Sequence, residues 1–167
     1  GDLAALGLRE SASVAMAGVL RTWKIDNGDV DLSGSNIPLQ LMRVASDNGL
    51  EMTRLEGSLD TLLNLDSPAI LQISVEGTEA RRYLAILGVS KGMISIQPPL
   101  AGRETIHLAE LRGLWTGDSW FFWQNFLNLS AVEISREISS QVWSLQELLH
   151  QSGLLVSEPS GLYDGAT

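Results

Sequence analysis

Residues 71–99 read LQISVEGTEARRYLAILGVSKGMISIQPP, and this stretch decides the fold class. It consists of short, apolar, β-branched runs separated by turns that contain glycine, which is the pattern of adjacent antiparallel strands. The turns are Glu76-Gly77-Thr78 and Lys91-Gly92. The sequence therefore predicts strands in succession at Ala69 to Val75, Arg82 to Val89 and Met93 to Gln97.

Helical patterns precede these strands, and more strand patterns follow them. Apolar residues at helical spacing predict helices upstream, and alternating aromatic residues predict strands downstream. Helices followed by a sheet indicate an α+β fold, since alternating βαβ units would place a helix between successive strands. The predicted helices run from Ser11 to Trp23, from Pro38 to Asn48, from Ser58 to Leu65 and from Ile138 to Gln151, and the further strands from Arg112 to Trp115 and from Ser119 to Trp123.

Composition excludes several classes of function. The 167 residues carry a formal net charge of −9 and include no cysteine. The acidic surface disfavours nucleic acid and anionic lipid, because both ligands are themselves negative. Without cysteine the chain has no disulfide, no thiolate metal site and no catalytic thiol. The sequence predicts no cofactor and no metal site.

The helices together with LQIS…RRYLAILGVSKGMISIQPP resemble the bacteriocin-processing cysteine peptidases, over roughly Leu8 to Trp123. The resemblance implies a papain-like fold in which N-terminal helices pack on an antiparallel sheet. In that family a cysteine opens the first helix, a histidine precedes an aromatic residue in a strand, and an aspartate precedes a proline. Carried over by position, these roles fall on Ser11, Arg82 and Gln97.

The three carried-over residues predict a domain that does not cut peptides. A guanidinium stays protonated at physiological pH and cannot act as a general base, so Arg82 cannot activate Ser11. Ser11 is expected to be an ordinary helix cap, while Arg82 and Gln97 could line a vacated groove. Ser13, His107 and His150 are the other candidates for a hydrolase, and neither histidine lies where the family places its base.

A narrower resemblance rests on NLDSPAILQIS at 64–74 and GLWTGDSWFFW at 113–123. These stretches resemble the periplasmic region of the general secretion pathway protein A family, which is anchored in the bacterial inner membrane. The aromatic residues Trp115, Trp120 and Trp123 are expected to be mostly core, since each buries a large area. Any of them that is exposed would be a candidate to stack on a sugar or a partner.

The end of the chain resembles the first helix and following loop of peptidoglycan-binding domains. The resemblance rests on QVWSLQELL at 141–149 and GLYDGAT at 161–167, and it makes Tyr163 and Asp164 ligand-binding candidates. An amphipathic helix docked on the main domain is the alternative. The predicted organisation is an inactive peptidase-like domain at 1–127 followed by a linker and partial wall-binding module at 128–167.

The predicted function is that of a non-catalytic periplasmic domain that helps assemble the secretin of a type II secretion system. The resemblance implies peptidoglycan and an inner-membrane secretion protein as partners, and an exposed sheet edge would allow a homo-oligomer. No nucleic acid is expected. One rival is the degenerate peptidase-like domain of a haemolysin-type ABC exporter, which holds substrate. The other is a serine hydrolase that uses Ser11 or Ser13.

Overall fold

The computed structural model describes residues 1–25, 30–55, 58–75, 80–124, 143, 146 and 147. After a short 3-10 helix at Leu3–Ala5, the described residues up to Gln124 form four α-helices and six strands. The helices are α1 (Leu8–Thr22), α2 (Ile37–Asp47), α3 (Leu59–Asn64) and α4 (Leu108–Leu114). The strands are β1 (Leu50–Arg54), β2 (Ala69–Ser74), β3 (Arg81–Ser90), β4 (Met93–Leu100), β5 (Arg103–His107) and β6 (Trp115–Gln124).

The strands form one sheet in the order β1-β6-β2-β3-β4-β5, and every neighbouring pair is antiparallel. The hairpin between β3 and β4 turns at Lys91-Gly92, and the next hairpin turns at Ala101-Gly102. All four turn residues have positive φ, between 49° and 78°. Two-residue turns of this kind match the twist of the strands they join. The α+β class and the three central strands are confirmed.

Helices cover both faces of the sheet, and each face has its own apolar core. On one face, called the α1 face, residues of α1 and α2 pack against Ile70, Tyr83, Ala85, Trp120 and Phe122. On the other, called the α3 face, α3 and α4 pack against residues that include Leu71, Ile73, Leu84 and Ile86. Successive strand residues point to opposite faces. The two cores therefore follow from the alternation along β2 and β3.

The three N-terminal helices are confirmed within a few residues. Helix α2 carries Pro38 in its first turn, and the side-chain oxygen of Asn36 accepts a hydrogen bond from the Leu39 N–H at 3.1 Å. Proline is tolerated there because the first helical N–H groups have no partner within the helix. The same orphan donors explain the Asn36 cap.

The prediction of two separate strands, from Arg112 to Trp115 and from Ser119 to Trp123, was wrong in its boundaries. Residues 112–114 belong to helix α4, and one long strand, β6, continues from Trp115 through Gly117, whose φ is 101°. Leu108, Leu111 and Leu114 recur at helical spacing, and Leu111 is fully buried, so packing on the α3 face stabilises a helix there. Strands β1 and β5 were not predicted.

Packing divides the chain into a unit at Gly1–Gln124 and a unit at Asn125–Thr167. In the second unit Trp143, Gln146 and Glu147 are helical, and Trp143 is exposed. The remainder of the helix predicted at 138–151 lies outside the described residues. The functional division at 127 and 128 stays a prediction. No helix in the described part of the chain is long and apolar enough to cross a membrane.

Candidate functional site

Ser11 lies on the fourth residue of α1 and is completely buried. Its hydroxyl donates to the Leu8 carbonyl at 2.8 Å and accepts from the Tyr83 N–H of β3 at 3.1 Å. The hydroxyl proton is thus held by a carbonyl oxygen, which cannot serve as a base. The second bond ties α1 to the sheet.

The expectation that Ser11 caps the helix was wrong. The N-cap is Gly7, and the Glu10 carboxylate accepts a hydrogen bond from the Gly7 N–H at 2.8 Å. Glu10 lies three residues after the cap, which is where the acidic half of a capping box is found. Helix α1 therefore begins one turn before Ser11, and Ser11 faces the sheet.

Gln97 lies on β4 and faces α1. Its amide Nε2 donates to the Val14 carbonyl at 3.2 Å, and its Oε1 accepts from the Arg21 guanidinium at 2.5 Å. A Cβ added to Gly18 would lie 2.9 Å from Oε1, so the absence of a side chain at Gly18 lets the amide approach the helix. Gln97 is therefore a second tie between α1 and the sheet.

Arg82 lies on the other face of the sheet from Ser11 and Gln97. It pairs with Ile73 of β2, whose side chain packs on the α3 face, and its neighbour Tyr83 packs on the α1 face. The Arg82 side chain therefore lies on the α3 face, opposite Ser11. Its Nη1 donates to the Arg81 carbonyl at 2.9 Å, while its buried Nε has no partner within the described residues.

Arg81 and Tyr83 occupy the α1 face in place of Arg82. The Arg81 guanidinium donates to the side-chain oxygen of Gln72 at 2.8 Å. The Gln72 amide nitrogen in turn donates to the Tyr83 hydroxyl at 3.5 Å. Burial raises the pKa of Tyr83 above its ordinary value of 10.0, against the opposing effect of the Gln72 hydrogen bond. The Tyr83 ring packs on Trp120 with centroids 6.0 Å apart.

Ser13 and His107, two further candidates for a hydrolase, lie on different elements. The Ser13 hydroxyl donates to the Val30 carbonyl, and His107 is an exposed residue at the start of α4. His150, Tyr163 and Asp164 lie outside the described residues. Within the described ranges, no group of three or more histidine, aspartate or glutamate side chains could hold a metal ion.

The three candidate tryptophans are all at least partly packed. Trp120 is 7% exposed on the α1 face. Trp115 is half-buried, and its ring N–H donates to the Asp118 carbonyl at 3.1 Å. Trp123 is half-buried beside β1, where its ring N–H donates to the Thr53 hydroxyl at 3.1 Å. Among these, Trp115 and Trp123 retain surface for a ligand.

Sequence reasoning missed Arg81, Tyr83, Gly18 and Arg21. The alternation in RRYLAIL contained the signal for the first two, because it places residues 81, 83 and 85 on one face and residue 82 on the other. The pairing of Gly18 with Gln97 connects α1 to β4 over 79 positions, and no local pattern indicates such a contact.

Comparisons with known proteins identify the fold. No protein-family model matches the chain, and no curated protein matches its sequence. The peptidase domain of Streptococcus ComA, a bi-functional ABC transporter involved in quorum sensing, superposes with a TM-score of 0.55 at 16% identity, covering 72% of this chain and 95% of that domain. A double-glycine-motif protease from an AMS/PCAT transporter, solved with its leader peptide, gives 0.54 at 22% identity, covering 71% and 86%.

A third solved structure comes from a different setting. A periplasmic domain of the EpsAB fusion protein of the Vibrio vulnificus type II secretion system has a TM-score of 0.51 and 18% identity. The match covers 97% of this chain and 66% of that structure. The chain therefore has the papain-like fold of double-glycine peptidase domains, a fold found both in ABC transporters and in a type II secretion protein.

Proposed function

We propose that this chain is a non-catalytic binding domain of a type II secretion protein, related to general secretion pathway protein A. It works in the periplasm as part of an inner-membrane-anchored protein. There it binds peptidoglycan and an inner-membrane secretion partner, and so helps the secretin to assemble through the cell wall.

One observation carries the non-catalytic part of the proposal. The Ser11 hydroxyl, which the resemblance places at the family's nucleophile, is buried and bonded to two backbone groups. A serine needs an adjacent general base and an oriented third group to act as a nucleophile. In the described part of the chain, the Ser11 hydroxyl bonds to the Leu8 carbonyl and the Tyr83 N–H, and neither backbone group is a base.

The extent of the structural match supports type II secretion over an exporter. The two transporter peptidase domains cover 72% and 71% of this chain, whereas the EpsAB periplasmic domain covers 97%. Fold likeness to the transporter domains supports the second candidate, a degenerate exporter domain that holds its substrate.

The catalytic question has a direct test. We expect a peptide with a double-glycine leader to stay intact when it is incubated with the chain, as followed by mass spectrometry. An active double-glycine peptidase serves as the positive control. We also expect no labelling by a fluorophosphonate probe, because only an activated serine reacts. Cleavage or labelling that Ser11→Ala or Ser13→Ala abolishes would overturn the non-catalytic assignment.

A binding assay separates the two candidates. The chain is mixed with purified peptidoglycan, with the cytoplasmic double-glycine leader peptide, and with neither, and its partition is measured by sedimentation or by titration. A type II secretion domain should sediment with peptidoglycan and ignore the leader peptide. The reverse result would favour the exporter domain.

A further inference from the structure

A groove of about 380 Å³ lies beside Gln97, between α1 and the hairpin of β4 and β5. Its wall on the helix side includes Val14 and Arg21, and its floor includes Leu87 of β3. The rest of the lining includes Gly1 and three polar residues of β4 and β5, which are Ser95, Glu104 and Thr105. The volume is in the range of about 300–1,000 Å³ that is usual for sites that bind small ligands.

Arg21 gives the groove a positive charge that no carboxylate neutralises within the described residues. The structure pairs Arg54 with Asp118, Arg103 with Glu110 and Arg112 with Asp60. Arg21 instead donates one N–H to the neutral amide of Gln97. A guanidinium has five N–H donors in a planar fork, so several remain for a carboxylate ligand.

The helix and the strand hold the Arg21 partner in place. The Gln97 amide is fixed by its bond to the Val14 carbonyl and by contact with Gly18, so the oxygen that accepts from Arg21 has a defined position. A donor that is oriented in advance loses less conformational entropy when a ligand binds. The groove therefore has an oriented cation on its α1 side.

Glu104 supplies the opposite charge. Its side chain is exposed, and no ion pair or hydrogen bond engages it in the described part of the chain. The hydroxyls of Ser95 and Thr105, which pair across β4 and β5, lie on the same side of the groove. Arg21 and Glu104 thus give the groove one side-chain cation and one side-chain anion, beside the amino group of Gly1, and this arrangement suits a ligand that carries both charges. A polyanion would be repelled by Glu104.

From this arrangement we infer that the groove binds a short amphoteric peptide, with a carboxylate on Arg21 and an ammonium group on Glu104. Val14 and Leu87 offer apolar contact to the peptide between its charged ends. The inference deepens the proposed function, and it rests on that function only in taking the domain to bind a ligand without cutting it.

The test uses the full chain and the probe N-acetyl-Asp-Ala-Ala-Lys-amide, whose charges are confined to its side chains. Titration followed by amide chemical shifts should perturb the end of α1, β4 and β5. The neutral probe N-acetyl-Asn-Ala-Ala-Gln-amide should bind at least about tenfold more weakly, because two charge-assisted contacts are lost. Absence of shifts with millimolar charged probe, or shifts elsewhere on the domain, would overturn the inference.

Two variants and one control locate the site. Arg21→Gln and Glu104→Gln should each weaken binding of the charged probe about tenfold. Glu104 lies on an exposed strand edge, so its variant should fold even if loss of the Arg21 bond disturbs α1. Arg112→Gln makes the same charge change on the α3 face and should leave binding unchanged. If Arg21→Gln and Glu104→Gln bind the charged probe as tightly as the wild type does, the inference is wrong.

Failure of the groove inference and failure of the proposed function give different results. A chain that sediments with peptidoglycan and leaves a double-glycine leader intact, but whose Arg21→Gln variant binds the probe normally, contradicts only the groove. Cleavage of the leader contradicts the non-catalytic function whatever the groove binds.

Discussion

The hydroxyl of Ser11 makes two hydrogen bonds, and both are to backbone groups. The resemblance to double-glycine peptidases assigns this position to their nucleophile. Here the side chain is buried and joins the first helix to the third strand. The residue has the role of a structural connection, which makes its contribution measurable as stability.

Ser11→Ala should lower the free energy of unfolding by about 1–3 kcal/mol, because it leaves the Tyr83 N–H buried without this acceptor. Urea denaturation followed by circular dichroism measures the change. The control is Ser90→Ala, which removes an exposed hydroxyl at the end of β3 and should change stability by less than about 0.5 kcal/mol. If Ser11→Ala leaves the free energy of unfolding unchanged, the hydrogen bond to the Tyr83 N–H does not contribute to stability.

Tyr83 should make stability depend on alkaline pH. Burial raises its pKa in the folded state above the ordinary value of 10.0, so ionisation favours the unfolded chain. The contribution is complete below pH 10 and is lost as the pH rises through the folded-state pKa.

The comparison for Tyr83 is the slope of unfolding free energy against pH, measured from neutral to strongly alkaline conditions. Tyr83→Phe should flatten the slope relative to its parent. Both proteins should carry Tyr163→Phe, so that Tyr83 is the only tyrosine in the parent and none remains in the variant. Parallel slopes for the two proteins would show that the Tyr83 hydroxyl ionises as it does in the unfolded chain.

At the scale of elements, the strands and helices that the sequence indicated are those with many apolar residues. The run AILQIS of β2 is mostly buried, and α1 buries seven of its residues. Strands β1 and β5 lie at the sheet edges, where LEMTR and RETIH carry charges. Edge strands commonly carry charges because these discourage pairing with other chains, so apolar periodicity is weak there.

The candidate site was harder to predict than the sheet because it depends on side-chain direction. The family motif placed the base at Arg82, yet the pleat of β3 turns that side chain to the α3 face. A shift of one residue along a strand moves a side chain to the opposite face. The contacts of Gln97 with Val14 and Arg21 depend on how α1 lies on the sheet, which packing decides.

The packing of α1 on β4 predicts opposite effects for one substitution at two glycines. Gly18→Ala should destabilise the protein by about 1–3 kcal/mol, because its Cβ would lie 2.9 Å from Gln97 Oε1 and the amide is held by two bonds. Gly113→Ala, in α4, meets nothing within 4 Å and should stabilise it by up to about 1 kcal/mol.

A double variant tests the cause of the Gly18 effect. Adding Gln97→Ala to Gly18→Ala removes the two closest atoms, Oε1 and Cδ, and leaves only the Cβ of residue 97 at 3.3 Å. The pair should therefore destabilise less than the sum of the two single variants. Thermal or urea unfolding of the four proteins completes the cycle. Strict additivity would mean that the alanine methyl clashes with something other than the Gln97 amide group.

At the scale of the whole molecule, the chain combines a papain-like unit with a C-terminal unit of different predicted function. The first unit, Gly1–Gln124, has a core on each face of its sheet and needs no segment after Gln124 to complete the sheet. A unit that buries its own core can unfold as one cooperative transition. Wall binding and papain-like packing should therefore be separable by truncation.

The separation is tested with residues 1–127 alone. We expect this fragment to unfold cooperatively and to remain in the supernatant when mixed with purified peptidoglycan, whereas the full chain sediments. In the full chain, Tyr163→Ala and Asp164→Ala should reduce the sedimented fraction, because an aromatic ring and a carboxylate are groups that can stack on and hydrogen-bond to a glycan. Ser160→Ala is the control within the same segment. Sedimentation of residues 1–127 as efficient as that of the full chain would instead place wall binding on the papain-like unit, where half-buried Trp115 and Trp123 would be the next residues to replace.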